Sequence, residues 1–276
     1  MDCFILIRGA GEMASGVAHK LWRCGFKTVL TEIQTPLAIR RGVAFAEAIY
    51  CGSHHVEDLE GHRVSSLEEA KDQIADNHLP VIVDPELKLT APIFQQTMAI
   101  LVDARMLKLP VAREYPRGVH VVGLGPGFDA LTNADYVIET NRGHHLGRVI
   151  EKGSAEGNTG VPAEVQGASN DRVVYPPGKG VFLTSKKIGD SVKAGDIIGS
   201  VNGIPVKATL TGVLRGLLHE GTPVTDRIKV ADIDPRGNPE NCFLISDKAR
   251  AIAGGVLEAV LRILTDQPSD TKRGVD

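Results

Sequence analysis

Cys3-Phe4-Ile5-Leu6-Ile7-Arg8-Gly9-Ala10-Gly11-Glu12-Met13-Ala14 is the stretch that decides the fold class. The apolar run predicts a buried strand from Cys3 to Arg8, and Met13, Val17, Ala18, Leu21 and Trp22 follow at helical spacing. A second short strand is expected from Thr28 to Glu32, after Gly25. The opening segment is therefore strand, turn, helix, strand, the outline of a βαβ unit.

The turn fits G-x-G-x-x-G/A. Gly9 permits the tight bend, Gly11 lets a phosphate approach the backbone, and Ala14 lets helix and strand touch. With Glu12 and Met13 at the helix start, free amides and the helix dipole favour an anion there. Glu32, at the end of the second strand, is placed to accept hydrogen bonds from a ribose diol. Gly9, Gly11, Glu12, Met13, Ala14 and Glu32 are accordingly the candidate cofactor-binding residues, and NAD is one candidate cofactor.

Outward from this unit, Ser66 followed by Glu69 forms a capping-box pattern and predicts a helix to about His78. Val81 to Asp84, Ala99 to Asp103, His120 to Leu124 and Tyr136 to Thr140 read as short buried strands, which argues for a mostly parallel sheet. The fold class expected is α/β, a Rossmann-like domain over residues 1–165. A Gly/Ser/Asn/Pro-rich stretch over 151–171 marks a linker or a long surface loop. Turn signals such as Gly189-Asp190, Gly195-Asp196 and Asn202-Gly203 then predict a small β domain over 166–246. A C-terminal helix over 247–266, capped by Ser246, is expected to pack back on the body, with Gly254 and Gly255 marking a close approach. Residues 267–276 are expected to form a loose tail.

The chain has 276 residues, a formal charge of −3, 42% hydrophobic and 24% charged residues. That length suits two domains. The charge gives no basic field for nucleic acid, and no run approaches the ~18 apolar residues of a membrane span. Neither nucleic acid nor a membrane is expected as a partner, and the expected location is cytoplasmic. Cys3, Cys24, Cys51 and Cys242 show no metal-binding spacing. Neither the nucleophile elbow of a serine hydrolase nor a P-loop is present.

Two further segments leave predicted strands at the edge where open parallel sheets bind ligands. Gly125 and Gly127 lie in Gly123-Leu124-Gly125-Pro126-Gly127-Phe128. Arg142, His144 and Arg148 lie in the run from Glu139 to Arg148. Planar guanidinium donors suit phosphate or carboxylate, and an imidazole can donate to an anion or move a proton. These five residues are the candidate anion-binding set. Adjacent His144 and His145 point apart and lack a third ligand, so no metal site is expected there.

With these motifs assembled, the chain resembles the YqeB family, accessory proteins of the selenium-dependent molybdenum hydroxylase system. The resemblance rests on Ile7 to Gly16, Gly125 to Phe128, Glu139 to Arg148, Asn158-Thr159-Gly160, Asp232 to Arg236 and Ser246 to Arg250. It implies a role in maturing or inserting the molybdenum cofactor or supplying selenium, with a molybdenum hydroxylase subunit as partner. A phosphorylated small molecule such as molybdopterin would suit the glycine turn and the arginines. The run Ile188 to Ile198 also resembles the first half of a biotinyl or lipoyl carrier domain, implying a barrel-sandwich. Its hairpin tip, however, reads Asn202-Gly203-Ile204-Pro205-Val206 with Lys207 displaced, so a docking or lid module is expected instead of a swinging arm. An NAD-dependent oxidoreductase and a non-catalytic docking scaffold are the alternatives.

Overall fold

The computed structural model describes residues 3–96, 98–115, 118–158 and 170–266. Its first part runs β1 (Cys3–Arg8), α1 (Glu12–Arg23), β2 (Lys27–Glu32), α2 (Ala48–Cys51), β3 (Ser53–Val56), β4 (Leu59–Val64), α3 (Leu67–Ala75), β5 (Leu79–Val83), α4 (Ile93–Gln96), β6 (Met98–Asp103), β7 (His120–Leu124), β8 (Tyr136–Ile138) and β9 (Val149–Ile150). These strands form one nine-stranded sheet in the order β3-β4-β5-β2-β1-β6-β7-β8-β9. Neighbours from β4 to β8 pair in parallel, and β3 and β9 add antiparallel edges.

Both faces of the sheet are covered, which is why the parallel strands read as unbroken apolar runs. Ile5, Ile7, Leu30, Ile100 and Val102 pack under α1 and a C-terminal helix, α5 (Asp247–Thr265). Leu6, Val29, Ile82 and Leu101 face the other side, with Ala70 of α3 and Ile93 of α4. The chain winds one way from β1 through β2 and the other way from β6 onward. The order therefore reverses between β1 and β6.

α5 begins where expected. The Ser246 hydroxyl accepts from the Ala249 amide at 3.2 Å. It lies against α1, where a Cβ on Gly16 would come 2.9 Å from the Ala249 Cβ. The cap of α3 differs in detail from the expected box: Ser66 accepts from the Glu69 amide, but Glu69 reaches back to the amide of Ser65 instead of Ser66. The hairpin β3–β4 was not expected from the sequence. Its strands, Ser-His-His-Val and Leu-Glu-Gly-His-Arg-Val, lie at the sheet edge, where polar residues replace the apolar run that marks an inner strand.

The second part holds β10 (Val173–Val174), β11 (Gly180–Leu183), β12 (Ser191–Val192), β13 (Ile197–Val201), β14 (Ile204–Lys207), β15 (Gly212–Leu217), β16 (Pro223–Val224) and β17 (Ala231–Asp234). They form two four-stranded antiparallel sheets, β10-β17-β15-β12 and β14-β13-β11-β16. Phe182, Ile198, Leu214, Leu217 and Ile233 fill the core between them. Asn202 and Gly203, both at positive φ, turn the chain from β13 to β14, as a two-residue hairpin of the right twist requires. Lys207 pairs with Ile197 at the far end of that hairpin, away from its tip. Within the expected linker, Ala155 is buried against the large sheet and Ser154 bridges to Asp129, so residues 151–158 belong to the first part. The remainder of that linker up to residue 169, Thr159 and Gly160 included, and the expected tail lie outside the described residues. Among the described residues no helix is long and apolar enough to cross a membrane.

Candidate functional site: a basic cleft under two helix starts

The glycine turn takes the strained geometry its sequence requires. Gly9 has φ +107°, and a Cβ there would press on the Ala104 carbonyl at 3.4 Å. Ala14 is buried between helix and sheet. Gly11 is different: a Cβ on it would meet nothing within 4 Å. No packing contact among the described residues therefore requires that residue to lack a side chain.

Part of the turn is already occupied. The Glu32 carboxylate accepts from the amides of Ala10 and Ile33, each at 2.8 Å. Burial pushes its pKa up, and the two amide bonds oppose that shift. The Ala10 carbonyl accepts from the Ala46 amide at 2.9 Å and from the Ser15 hydroxyl at 3.0 Å. Glu32 thus spends its carboxylate on the turn itself, where the sequence reading had aimed it at a ribose.

The reversal between β1 and β6 carries a polar cluster that borders a second cavity of about 750 Å³, lined by Arg8, Glu114 and Tyr115 with Leu87 and Phe94. Arg8 and Asp103 are register partners there. Tyr115 donates to Asp103 at 2.7 Å and accepts from Arg8 at 2.8 Å, Arg105 grips Asp103 through 2.9 and 2.7 Å bonds, and Glu114 pairs with both arginines. Loop residues after β6 therefore line the crevice at which open parallel sheets bind ligands.

The anion-suited space opens one step away. A cleft of 420 Å³ is lined by Glu12, Met13, Ile39, Arg40, Asn141 and Arg142 from the first part, by Arg172, Val173, Arg215, Lys229 and Asp232 from the second, and by Ser246 and Lys248 at the start of α5. The N-termini of α1 and α5 both contribute to this wall, and both carry positive dipole ends. Basic side chains outnumber the two carboxylates.

Several of these cations are fixed in place. Asp232 accepts from Arg172 at 2.8 Å and from Arg215 at 2.6 and 3.0 Å, while Asp234 beside it holds Arg236. The stretch from Asp232 to Arg236 thus forms an ion-paired corner, and Asp232 of it also lines the cleft. Arg40 is 6% exposed and reaches Glu12 at 3.3 Å and the carbonyls of Asn241 and Leu244. Its buried Nε has no hydrogen-bond partner among the described residues. Burial lowers the pKa of Lys248, and the charge of Arg142 adds to that. Among the described residues Lys248 has no ion-pair partner.

The sequence-nominated residues divide. Glu12, Met13 and Arg142 meet in the cleft. Arg142 is half-exposed and clamped by Asp247 at 2.7 and 3.1 Å. Arg148 lines a separate groove with Glu139 and Glu156, and His144 is exposed outside the cleft. Gly125 and Gly127 do not line the cleft either. Cβ atoms there would come 2.9 Å from the Thr140 hydroxyl and 2.6 Å from the Leu107 Cβ, so these glycines shape the turn by packing. His145 pairs with Glu156 at 3.1 Å. Arg40, Lys229 and Lys248 were missed as site residues. Their only signal, a cation beside a turn or helix start, is common on any surface.

Set against known proteins, the chain is 41% identical over 268 residues to the uncharacterized protein YqeB of Escherichia coli strain K12. That match supports the YqeB family. It covers 97% of this chain and 49% of YqeB, so the chain spans about half the length of that relative. No family model matches the chain. Among solved structures, an aspartoacylase family protein of Mesorhizobium loti is 14% identical with a TM-score of 0.27, covering 84% of each chain. The ectoine utilization protein EutE of Ruegeria pomeroyi is 11% identical with a TM-score of 0.26, covering 84% of this chain and 85% of that one. Likeness this low carries no argument about fold or chemistry.

Proposed function

We propose that the chain binds a phosphorylated small molecule in the cleft between its two parts and serves as an accessory or maturation factor for a selenium-dependent molybdenum hydroxylase. The observation that carries the binding half is the buried Arg40, with an unpartnered Nε, in a wall that also holds two helix starts and Lys248. A buried guanidinium has lost its hydration, and a phosphate oxygen offsets that loss through charge-assisted hydrogen bonds. The hydroxylase half rests on the YqeB resemblance, and molybdopterin, whose side chain ends in a phosphate, fits the chemistry. The barrel-sandwich reading of the small domain belongs to the same proposal: in it the second part is a docking module that walls the ligand from a fixed position.

NAD is the weaker ligand, because Glu32 is engaged by the Ala10 and Ile33 amides. Titration with NADH separates the two: saturable fluorescence enhancement that Gly11→Ala removes would favour the dinucleotide. For the leading reading, mass spectrometry of material released on denaturing the natively purified protein is expected to find a phosphorylated pterin or nucleotide. Recovery of no phosphorylated compound, together with no heat of binding to pyrophosphate, would overturn it.

Three expected outcomes refine the site. Lys248→Gln weakens pyrophosphate binding about tenfold or more, the worth of one charge-assisted bond. The pH dependence has a definite sign. Protonated Lys248 holds the anion, so affinity persists below its lowered pKa and falls as pH rises through it, earlier than at the 10.5 of an ordinary lysine. Lys248→Arg moves that fall to higher pH in a calorimetric titration. Gly11→Ala, with open space around the new methyl, costs at most about 1 kcal/mol of stability and weakens ligand binding more than that.

A further inference from the structure

The cavity at the reversal of the sheet lies apart from the basic cleft. Along β1, Phe4 and Leu6 pack on the side of α3 and α4, and strand alternation puts Arg8 on that same face. Leu101 packs there too, and Asp103 follows it on β6. The basic cleft is formed on the other face, under the N-termini of α1 and α5. The cavity opens beyond the carboxyl ends of β1 and β6, where the strand order reverses. Its 750 Å³ is within the ~300–1,000 Å³ of small-molecule sites.

Its lining is of two kinds. Leu87, Ala91, Phe94 and Val119 are apolar, while Arg8, Tyr115 and Glu114 supply most of the polar part. Arg8 and Arg105 both donate to one oxygen of Glu114, its Oε2, the second at 3.1 Å. Two guanidinium groups converging on a carboxylate oxygen is also the way a protein holds the carboxylate of a ligand. The partners differ in how firmly they are fixed. Arg8 stands on an inner strand, 9% exposed, with its Nε and Nη2 donating to the Pro85 carbonyl at 3.0 and 2.7 Å. Arg105 is gripped by the fully buried Asp103. Glu114 lies in the irregular connection between β6 and β7 and is 38% exposed. The sheet holds the cations and a loop holds the anion. With Glu114 turned outward, Arg8 and Arg105 would face Asp103 with one positive charge in excess. Glu86, also in the lining, is exposed to water that screens it.

We propose that this cavity binds a small organic acid, a carboxylate carried on an apolar or aromatic body, which replaces the Glu114 carboxylate on Arg8 and Arg105 while its body lies against Leu87 and Phe94. Glu114 is then a built-in competitor that neutralises the arginines until the ligand enters. Exchange of one carboxylate for another leaves the number of charge-assisted bonds unchanged. The gain therefore comes from the apolar surface that the body buries, and a bare carboxylate such as acetate gains little.

Calorimetric titration of the full chain with phenylpropionate, acetate and phenylpropanol tests this. Phenylpropionate is expected to bind one per chain, with the other two at least about tenfold weaker. Glu114→Gln removes the competitor and is expected to tighten phenylpropionate binding about tenfold, as when a site is free only a tenth of the time. Arg8→Gln is expected to weaken it by about tenfold or more. Phe94→Ala serves if the buried arginine variant fails to fold, and is expected to weaken phenylpropionate without changing acetate. Saturating pyrophosphate, which probes the basic cleft, is expected to leave the phenylpropionate affinity unchanged. Phenylpropionate binding that Glu114→Gln does not tighten, equal binding of phenylpropanol, displacement by pyrophosphate, or no binding to either parent or Glu114→Gln overturns the proposal.

Discussion

Asp232→Ala is expected to lower the stability of the chain by about 3–5 kcal/mol, and its Tm by roughly 10 °C. Asp232 is the shared acceptor of Arg172 and Arg215, with side-chain exposures of 8%, 5% and 16% respectively. At such burial water screens little, and removal of the carboxylate shared by the two guanidinium groups leaves Asp234, 3.7 Å from Arg215, as a more distant counter-charge to two like charges in a low-dielectric wall. Asp232→Asn keeps an acceptor oxygen and is expected to lose less. Urea unfolding of the three proteins measures the order. A change under 1 kcal/mol in Asp232→Ala would show that the arginines relax into solvent, and the cleft wall with them.

The second large effect separates two adjacent glycines of α5. A Cβ on Gly255 would stand 2.1 Å from the carbonyl oxygen of Gly147 and 3.1 Å from Ile138, whereas a Cβ on Gly254 would meet nothing within 4 Å. Gly255→Ala therefore has to lift the helix from the 143–147 loop and is expected to cost about 3 kcal/mol, the upper end of overpacking penalties. Gly254→Ala, at an exposed position of the same helix, is expected to stabilise by up to about 1 kcal/mol through helix propensity alone. The two unfolding midpoints should move in opposite directions. If both fell together, the contact with Gly147 would not be the reason.

The same contrast bears on what could be read in advance. A close approach was expected at Gly254 and Gly255, but one-dimensional spacing has no means of saying which glycine faces the neighbour. The βαβ opening and α5 were legible because their signals are local: an apolar run, a glycine turn, a capping serine. The β3–β4 hairpin was not, since a strand at the edge keeps its polar side chains in water and loses the alternation that would announce it. The cleft was half legible. Glu12, Met13 and Arg142 follow strand or helix ends that the sequence marks, while Arg172, Arg215 and Lys229 arrive from the other part of the chain. Glu32 stands at the strand end as expected, but nothing in the sequence signalled that its two oxygens accept the Ala10 and Ile33 amides, because that contact depends on how the turn folds back on the strand.

Residues 39–41 join the two parts by backbone. The Leu217 amide donates to the Ile39 carbonyl at 2.8 Å, the Arg41 Nε donates to the Leu217 carbonyl at 2.7 Å, and Tyr50 stacks on His219 at 3.9 Å. Because Ile39 and Arg40 are also cleft residues, the strap that rivets one half to the other sets the aperture of the site. Hinge closure would have to break those bonds. Loaded and empty protein should consequently scatter X-rays at small angles alike, and selectivity would come from a jaw of fixed gauge that admits only ligands already narrow enough to enter.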